Sequence, residues 1–512
     1  MILLLLSLVS CFQTPSVTTQ PPASAGCPKN QPDVVILSID TTRADRLGFM
    51  GLATAKTPHL DDLAARGQVF TNAIAPVPRT TPAIASLMTG LAPHHHGARE
   101  VGEAMTTTEP LARILKDRGW QTVGISAMPV VGPDQNMDRG FDHFEVDFDA
   151  PADKLAARTL RATRETDPTC PLFVWTHFSD PHFPYAPPAA HPRPDAPACA
   201  AIVEKAIAGK LARYRYYENR DGRSEAIREE CTALYDAEIT HADRGIGALL
   251  DGLKAQGRTD PIVIFTSDHG ENLGEWGLYF EHGPNAHDAS LRVPLILAGP
   301  GITPGRSGAV ATLEDVLPTL LNRLEITPPM ALDGHDLFST ARPDWVRAES
   351  GSALHARLGS YLVAGRKTRL HCIHGNRFSL CDHPKKPRRL FDRTQDPDLR
   401  RDVSRANADT VNRLAQAWKM WPVERTRQRI VRTDTHMLVA TPRLTGGYTL
   451  SLYDHIDDPA LTRDIVDASP ELMATLMPVM QGWHAELDGA STDVSAKTEA
   501  EERALRALGY IE

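Results

Sequence analysis

Two adjacent hydroxyl residues head a short apolar run, Thr80-Thr81-Pro82-Ala83-Ile84-Ala85-Ser86-Leu87-Met88-Thr89-Gly90. The pattern predicts a helix, since proline is tolerated in a first turn and glycine suits the residue that closes the last. Thr80 or Thr81 then serves as the N-cap, its oxygen close to unpaired backbone N–H groups. That end of a helix attracts anions such as phosphate or sulfate. A hydroxyl placed there could attack an ester as well as cap the helix. An ordinary capped helix has the same residues, so other parts of the chain must decide between the two.

Other groups capable of chemistry follow apolar runs. Asp40 comes directly after Val34-Val35-Ile36-Leu37-Ser38-Ile39, and Asp268-His269-Gly270 directly after Ile262-Val263-Ile264-Phe265-Thr266-Ser267. Open α/β sheets place their ligands beyond the carboxyl ends of buried strands. An aspartate beside a histidine there can offer oxygen and nitrogen to one cation. His177 to Tyr185 forms a proline-held loop after a third such run and contains His182. In Pro93-His94-His95-His96-Gly97 the three imidazoles cannot all reach one metal from a regular element, so packed or exposed histidines are expected.

These side chains need a scaffold. Strands are predicted at Asp33–Ile39, Val69-Phe70, Gln121–Ser126, Pro171–Thr176, Ile262–Thr266 and Pro294–Ala298. Helices are predicted at Thr57–Gly67, around Leu111 to Gly119, and as one long helix after Cys231. Strand and helix alternate, which points to an α/β body. Beyond about residue 340 the pattern changes. There Leu390-Phe391-Asp392 to Arg401-Asp402 recurs at constant offset as Leu452-Tyr453-Asp454 to Arg463-Asp464. Each copy reads as a strand end, an acidic turn and the start of a helix. Two copies make a duplicated unit rather than a solenoid.

The 512 residues are 42% hydrophobic and 23% charged, as in a globular protein. The net charge is −9 with no long basic run, which argues against nucleic acid as a partner. The start, Met1 to Val9, is nearly all aliphatic, and Leu8-Val9-Ser10-Cys11 resembles a bacterial lipobox. Phe12 to Gln31 is rich in Pro, Ser, Thr and Ala and reads as a tether. This start predicts export to the periplasm or cell surface, with a lipid anchor at Cys11. Of seven cysteines, six remain for disulfides in an exported chain, and Cys372 and Cys381 are spaced for a hairpin staple. The expected division is 1–31 leader and tether, 32–340 catalytic unit, and 341–512 C-terminal subdomain.

Taken together, Ile39-Asp40-Thr41-Thr42-Arg43-Ala44-Asp45, Thr80 to Gly97, Asp180-Pro181-His182-Phe183-Pro184-Tyr185, Thr266-Ser267-Asp268-His269-Gly270 and Arg292-Val293-Pro294-Leu295 resemble the sulfatase family of the alkaline phosphatase superfamily. Leu505 to Ile511 resembles the ending of bacterial members. The resemblance implies an alkaline-phosphatase-like mixed sheet flanked by helices, with a smaller C-terminal α+β subdomain. It implies one divalent cation held by Asp40, Asp268, His269 and the nucleophile, which the family spacing puts at Thr80. It implies His182 as a substrate contact and His282 as a group near the ester oxygen, so that either could serve as general acid.

The chain also departs from the family pattern. Thr80 stands where sulfatases carry the cysteine that matures to formylglycine, so no formylglycine is expected. Ile84 replaces the family arginine, Thr41 the second aspartate, and Gly124-Ile125-Ser126 occupies the region of the usual lysine and histidine. Arg43 and Arg79 are the candidates to replace the lost positive charge. By analogy the cation is calcium for sulfate esters, and zinc or manganese for phosphate esters. Two function classes follow. One is a metal-dependent hydrolase of sulfate or phosphate esters with a Thr nucleophile, acting on a small-molecule, lipid or polysaccharide ester. The other is a catalytically inactive binding or scaffolding protein on the same fold.

Overall fold

The computed structural model describes residues 27–489, except 107–108, 149, 190, 208–223, 276–278, 284, 352–354, 359–360, 365–370, 375–377, 384–385, 393–400, 413–426 and 443–447. The lipobox, the tether and the Leu505–Ile511 ending lie outside the described residues. Among the described residues no helix is long and apolar enough to cross a membrane.

The centre is a mixed sheet of nine strands. They are β1 (Val34–Ile39), β2 (Gly67–Ile74), β3 (Gln121–Ser126), β4 (His143–Val146), β5 (Leu172–Phe178), β6 (Ile262–Ser267), β9 (Arg292–Ala298), β10 (Gly305–Ser307) and β11 (Ala311–Thr312); a small hairpin, β7 (Asn272–Leu273) with β8 (Tyr279–Glu281), lies outside it. The spatial order is β10-β2-β9-β6-β1-β5-β3-β4, with β11 also on β2. β1 is parallel to both neighbours, and only β9 runs against β2 and β6.

β1, β5 and β6 are buried at every position because both faces of the sheet are covered, which is why they read as unbroken apolar runs. Val34 and Ile36 face one core with helices α2 (Thr80–Thr89), α4 (Leu111–Lys116) and α9 (Val316–Arg323). Val35, Leu37 and Ile39 face the other core with α1 (Pro58–Ala65), α5 (Ala152–Arg164), α6 (Pro197–Ile207) and α7 (Ser224–Ala255). Two shorter helices, α3 (Pro93–His96) and α8 (Asp288–Leu291), sit in connections.

Register fixes the functional end. Ile39 pairs with Phe178 on one side and Ser267 on the other. Asp40 and Asp268 therefore leave the sheet side by side at the carboxyl ends of parallel strands. The chain adopts the expected mixed sheet flanked by helices.

The C-terminal part is α+β. β12 (Trp345–Glu349), β18 (Arg429–Thr433), β19 (His436–Pro442) and β20 (Tyr448–Asp454) form an antiparallel sheet. Helix α10 (Pro470–Gly489) covers it with Leu476, Met480, Trp483 and Leu487. A separate five-stranded meander comprises β13 (His355–Leu358), β14 (Tyr361–Ala364), β15 (His371–His374), β16 (Phe378–His383) and β17 (Lys386–Asp392).

Among the described residues, the ends of the two sequence copies repeat the same backbone bonds. Asp402 accepts from the Leu390 N–H and the Ser404 N–H, and Asp464 accepts from the Leu452 N–H and the Val466 N–H. The N–H of Val403 returns to the Leu390 carbonyl as that of Ile465 returns to Leu452. Both copies then enter a short 3₁₀ turn, Ser404–Ala406 and Val466–Ala468. Disulfides join Cys27 to Cys170 and Cys199 to Cys231. Cys372 and Cys381 stand opposite each other in the backbone register of β15 and β16.

Candidate active site

Helix α2 begins at least one residue earlier than the capping pattern predicts. Arg79, in extended conformation, is the N-cap, and Thr80 is the first helical residue with no side-chain capping bond. This corrects the assignment of Thr80 or Thr81 as the cap, and it leaves the Thr80 hydroxyl for other use. Thr81 is committed to structure: its hydroxyl donates to the Val130 carbonyl and accepts from the Gly102 N–H. Gly90 closes the helix at φ 66, the left-handed region that glycine tolerates.

Thr80 is buried, and its Oγ1 lies 3.4 Å from His269 Nε2. His269 Nδ1 donates to the Gly270 carbonyl at 2.9 Å, which leaves the Nε2 lone pair facing Thr80 and the carboxylates. That nitrogen is 3.3 Å from Asp268 Oδ2 and 3.9 Å from Asp40 Oδ1. Asp268 Oδ1 accepts from the backbone N–H groups of Thr41 and His269. Thr41 itself sits at φ 53, unusual for a β-branched residue. Its N–H bond to Asp268 and the Tyr235 hydroxyl on its carbonyl hold it there.

Both oxygens of Asp40 and Oδ2 of Asp268 are buried without a hydrogen bond. Burial pushes both carboxyls well above the usual range, and a second carboxylate adds to it: Glu271 for Asp40, Asp40 for Asp268. Burial and the neighbouring His282 hold His269 well below the usual imidazole value. Orphaned carboxylate oxygens are costly unless a positive charge meets them. Asp40, Asp268 and His269 each present a ligand atom within 4.8 Å of the others. Their donor chemistry, two carboxylates and a neutral imidazole, fits one divalent cation.

Sequence reasoning passes over His177 as a site residue. It lies in β5 in register with Ser38, and its Nε2 is 3.8 Å from Asp40 Oδ2. Ser38 Oγ accepts from the Trp175 indole N–H and meets His177 Nδ1 at 2.8 Å. Burial lowers His177 to about 4, so its ring is neutral. Pairing the first and third apolar runs in register would have found it.

The two candidate arginines part company. Arg43 is clamped by Asp45 and Glu275, and it donates to the Glu271 carbonyl. Its guanidinium braces the loop through these contacts. Arg79 is buried, donates Nη1 to the His282 carbonyl, and leaves Nε and Nη2 without a partner among the described residues. It adjoins Thr80 in sequence. Gly283 and Gly351 make room for it, since a Cβ on either would fall 2.1 Å from Arg79 Cζ or 2.5 Å from Nε.

His282 Nδ1 faces Glu271 Oε1 at 3.3 Å. Its ring lies 4.3 Å from that of His269 and 5.5 Å from that of His182. Glu271 is a second residue sequence reasoning misses, although it directly follows Asp268-His269-Gly270. The centre thus gathers Asp40, Thr80, Asp268 and His269, with Arg79, His182 and His282 around them.

Comparison with known proteins agrees with this geometry. The family described as Sulfatase matches residues 32–326. The chain belongs to the sulfatase family. Its reaction class is the hydrolysis of sulfuric or phosphoric esters. An arylsulfatase of Clostridium perfringens is 25% identical over 394 residues, covering 62% of this chain and 80% of the relative. An ulvan-active sulfatase of Formosa agariphila is 27% identical over 404 residues, covering 72% and 76%. Among solved structures, a phosphonate monoester hydrolase of Agrobacterium radiobacter superposes with a TM-score of 0.61 over 90% of this chain and 95% of its own, at 19% identity. That likeness concerns the fold alone.

Proposed function

We propose that this protein hydrolyses phosphate esters, and sulfate esters less well, through a covalent Thr80 intermediate. The observation that carries the reading is the Thr80 hydroxyl 3.4 Å from His269 Nε2, beside the carboxylates of Asp40 and Asp268. A divalent cation held by Asp40, Asp268, His269 and Thr80 would lower the hydroxyl pKa and offset charge on the ester. Thr80 Oγ1 attacks phosphorus in line, releasing its proton to solvent, as the ester bond breaks on the opposite side. Arg79, with two guanidinium nitrogens unpartnered among the described residues, binds the non-bridging oxygens, where oxyanion donors act most strongly. His282, oriented through Nδ1 by Glu271, gives a proton to the leaving oxygen from Nε2, and His182 contacts the substrate. Water then displaces Thr80 at phosphorus and returns one proton to His282, while the departing Thr80 oxygen takes a proton back from solvent.

Threonine favours phosphate over sulfate. A phosphothreonine can be displaced at phosphorus. A sulfated threonine lacks the elimination route that formylglycine provides. By the same logic zinc or manganese suits the site better than calcium. The lipobox at Cys11 and the two disulfides support an exported, anchored enzyme acting on envelope or polysaccharide esters.

The test is a panel of nitrophenyl sulfate, phosphate monoester and phosphate diester, run beside Thr80→Ala. Phosphate esters should turn over fastest, and Thr80→Ala should lose roughly 10⁴-fold or more. Undiminished activity in Thr80→Ala would remove the nucleophile assignment. Failure to turn over any ester with cation bound would favour the scaffolding alternative.

A further inference from the structure

Just past α2, the turn Pro93-His94-His95-His96-Gly97 plays no part in the centre described above. Its imidazoles separate. His96 is fully buried, its Nε2 meets Ser86 Oγ at 3.1 Å, and burial lowers it to about 3. His94 and His95 turn the other way, their rings 4.1 Å apart, toward Glu486 on α10. His94 Nε2 lies 2.7 Å from Glu486 Oε1, and His95 Nε2 lies 3.7 Å from the same oxygen. The three ligand atoms fall within 4.8 Å of one another.

The surrounding contacts hold this convergence. His95 Nδ1 meets Asp333 Oδ2 at 2.7 Å, and that oxygen also accepts from the Ala92 N–H. A carboxylate on Nδ1–H turns the Nε2 lone pair of His95 toward Glu486, the arrangement by which carboxylates orient metal-binding histidines. Glu486 Oε2 is held by Arg347 Nη1 at 2.6 Å, which leaves Oε1 to the imidazoles. His95 Nε2 and Glu486 Oε1 stand 3.7 Å apart, beyond hydrogen-bond distance, a spacing that an ion bound to both would bridge. The His94 side chain is only 6% exposed, so its ring is held in place at the base of the cluster. His95 and Glu486 are partly exposed, which gives an ion a path inward.

We propose that His94, His95 and Glu486 bind a zinc ion that fastens the C-terminal helix α10 to the catalytic body at α3. Two imidazoles and one carboxylate are a zinc ligand set, with water completing the tetrahedron. Asp333 and Arg347 position the ligands. The site is separate from Asp40, Asp268 and His269, and it stands or falls independently of the catalytic reading.

The experiment uses the full chain without an affinity tag, in an Asp268→Asn background that weakens the catalytic cation site. Equilibrium dialysis at micromolar free zinc should show one more equivalent bound to this parent than to its Glu486→Gln derivative. Zinc should raise the Tm of the parent and leave that of Glu486→Gln unchanged. His95→Gln, at a half-exposed position, repeats the measurement should Glu486→Gln fold poorly. Cobalt in place of zinc should give the intense visible absorption of a four-coordinate site in the parent only. Equal zinc stoichiometry in parent and both derivatives, or an equal Tm rise in all three, would overturn the proposal.

Discussion

Arg79 can lie where it does because Gly351 has no side chain: a Cβ there would stand 2.5 Å from Arg79 Nε. Gly283, at φ +100, makes the same concession on another side. The guanidinium is thereby fixed next to Thr80. Arg79→Ala should lower kcat/KM by about 10²–10³-fold, the cost of removing an oxyanion donor. Gly351→Ala keeps the charge but displaces it, and should lose most of the same activity. In a double-mutant cycle the two losses should not add, because both remove one interaction. Additive losses would mean that Gly351 acts by another route.

The pairing of His282 with Glu271 makes a prediction about leaving groups. Protonation matters when the departing oxygen is basic and little when it is a nitrophenolate. His282→Ala should cost about 10²–10⁴-fold on alkyl phosphate esters. On nitrophenyl esters the loss should be much smaller. Glu271→Gln should show the same preference with a smaller amplitude. Equal losses on both kinds of ester would remove His282 from the general-acid role.

The parts of this centre that sequence made legible are those that strand ends dictate. Asp40 and Asp268 follow apolar runs that could only be buried strands, and parallel pairing in register brings them together. The roles of Arg43 and Arg79 were not legible, because they depend on which acids surround a guanidinium. Asp45 is near Arg43 in sequence, but Glu275 reaches it only through the fold. His177 was hidden because its partner Ser38 is 139 residues away. The Thr80 cap failed for a smaller reason: Arg79 takes the extended conformation, so the helix starts one residue earlier and Thr80 is already inside it. His94 and His95 stood out only as part of a histidine run expected to be packed or exposed, since their partner Glu486 lies on a C-terminal helix 392 residues from His94.

Removing the cation offers a third test. Without it, three buried carboxylate oxygens of Asp40 and Asp268 have no hydrogen bond. Dialysis against a strong chelator should abolish ester hydrolysis, and zinc or manganese should restore it. Asp40→Asn should stay inactive after the same addition. Full activity in chelated protein, with metal content measured at zero, would eliminate the cation from the mechanism.

Glu314 supplies a prediction about stability and pH. It is 5% exposed in the turn before α9, and its carboxylate accepts from the Thr312 hydroxyl. Burial raises it from 4.5 to about 8 despite that bond, with the charges of Asp315 and Asp333 adding to the rise. The folded value therefore exceeds the unfolded one. Below about pH 4.5 both states hold the proton and the contribution is intact. As pH rises toward 8 the unfolded chain ionises first, and stability falls until the folded group ionises too. A loss of up to ~2–4 kcal/mol across that window is expected. Asp315, also raised by burial, adds in the same direction. Glu314→Gln keeps the Thr312 bond and cannot ionise, so its urea midpoint should fall less between pH 5 and pH 8. Parallel declines in the parent and Glu314→Gln would show that this carboxyl does not set the pH dependence.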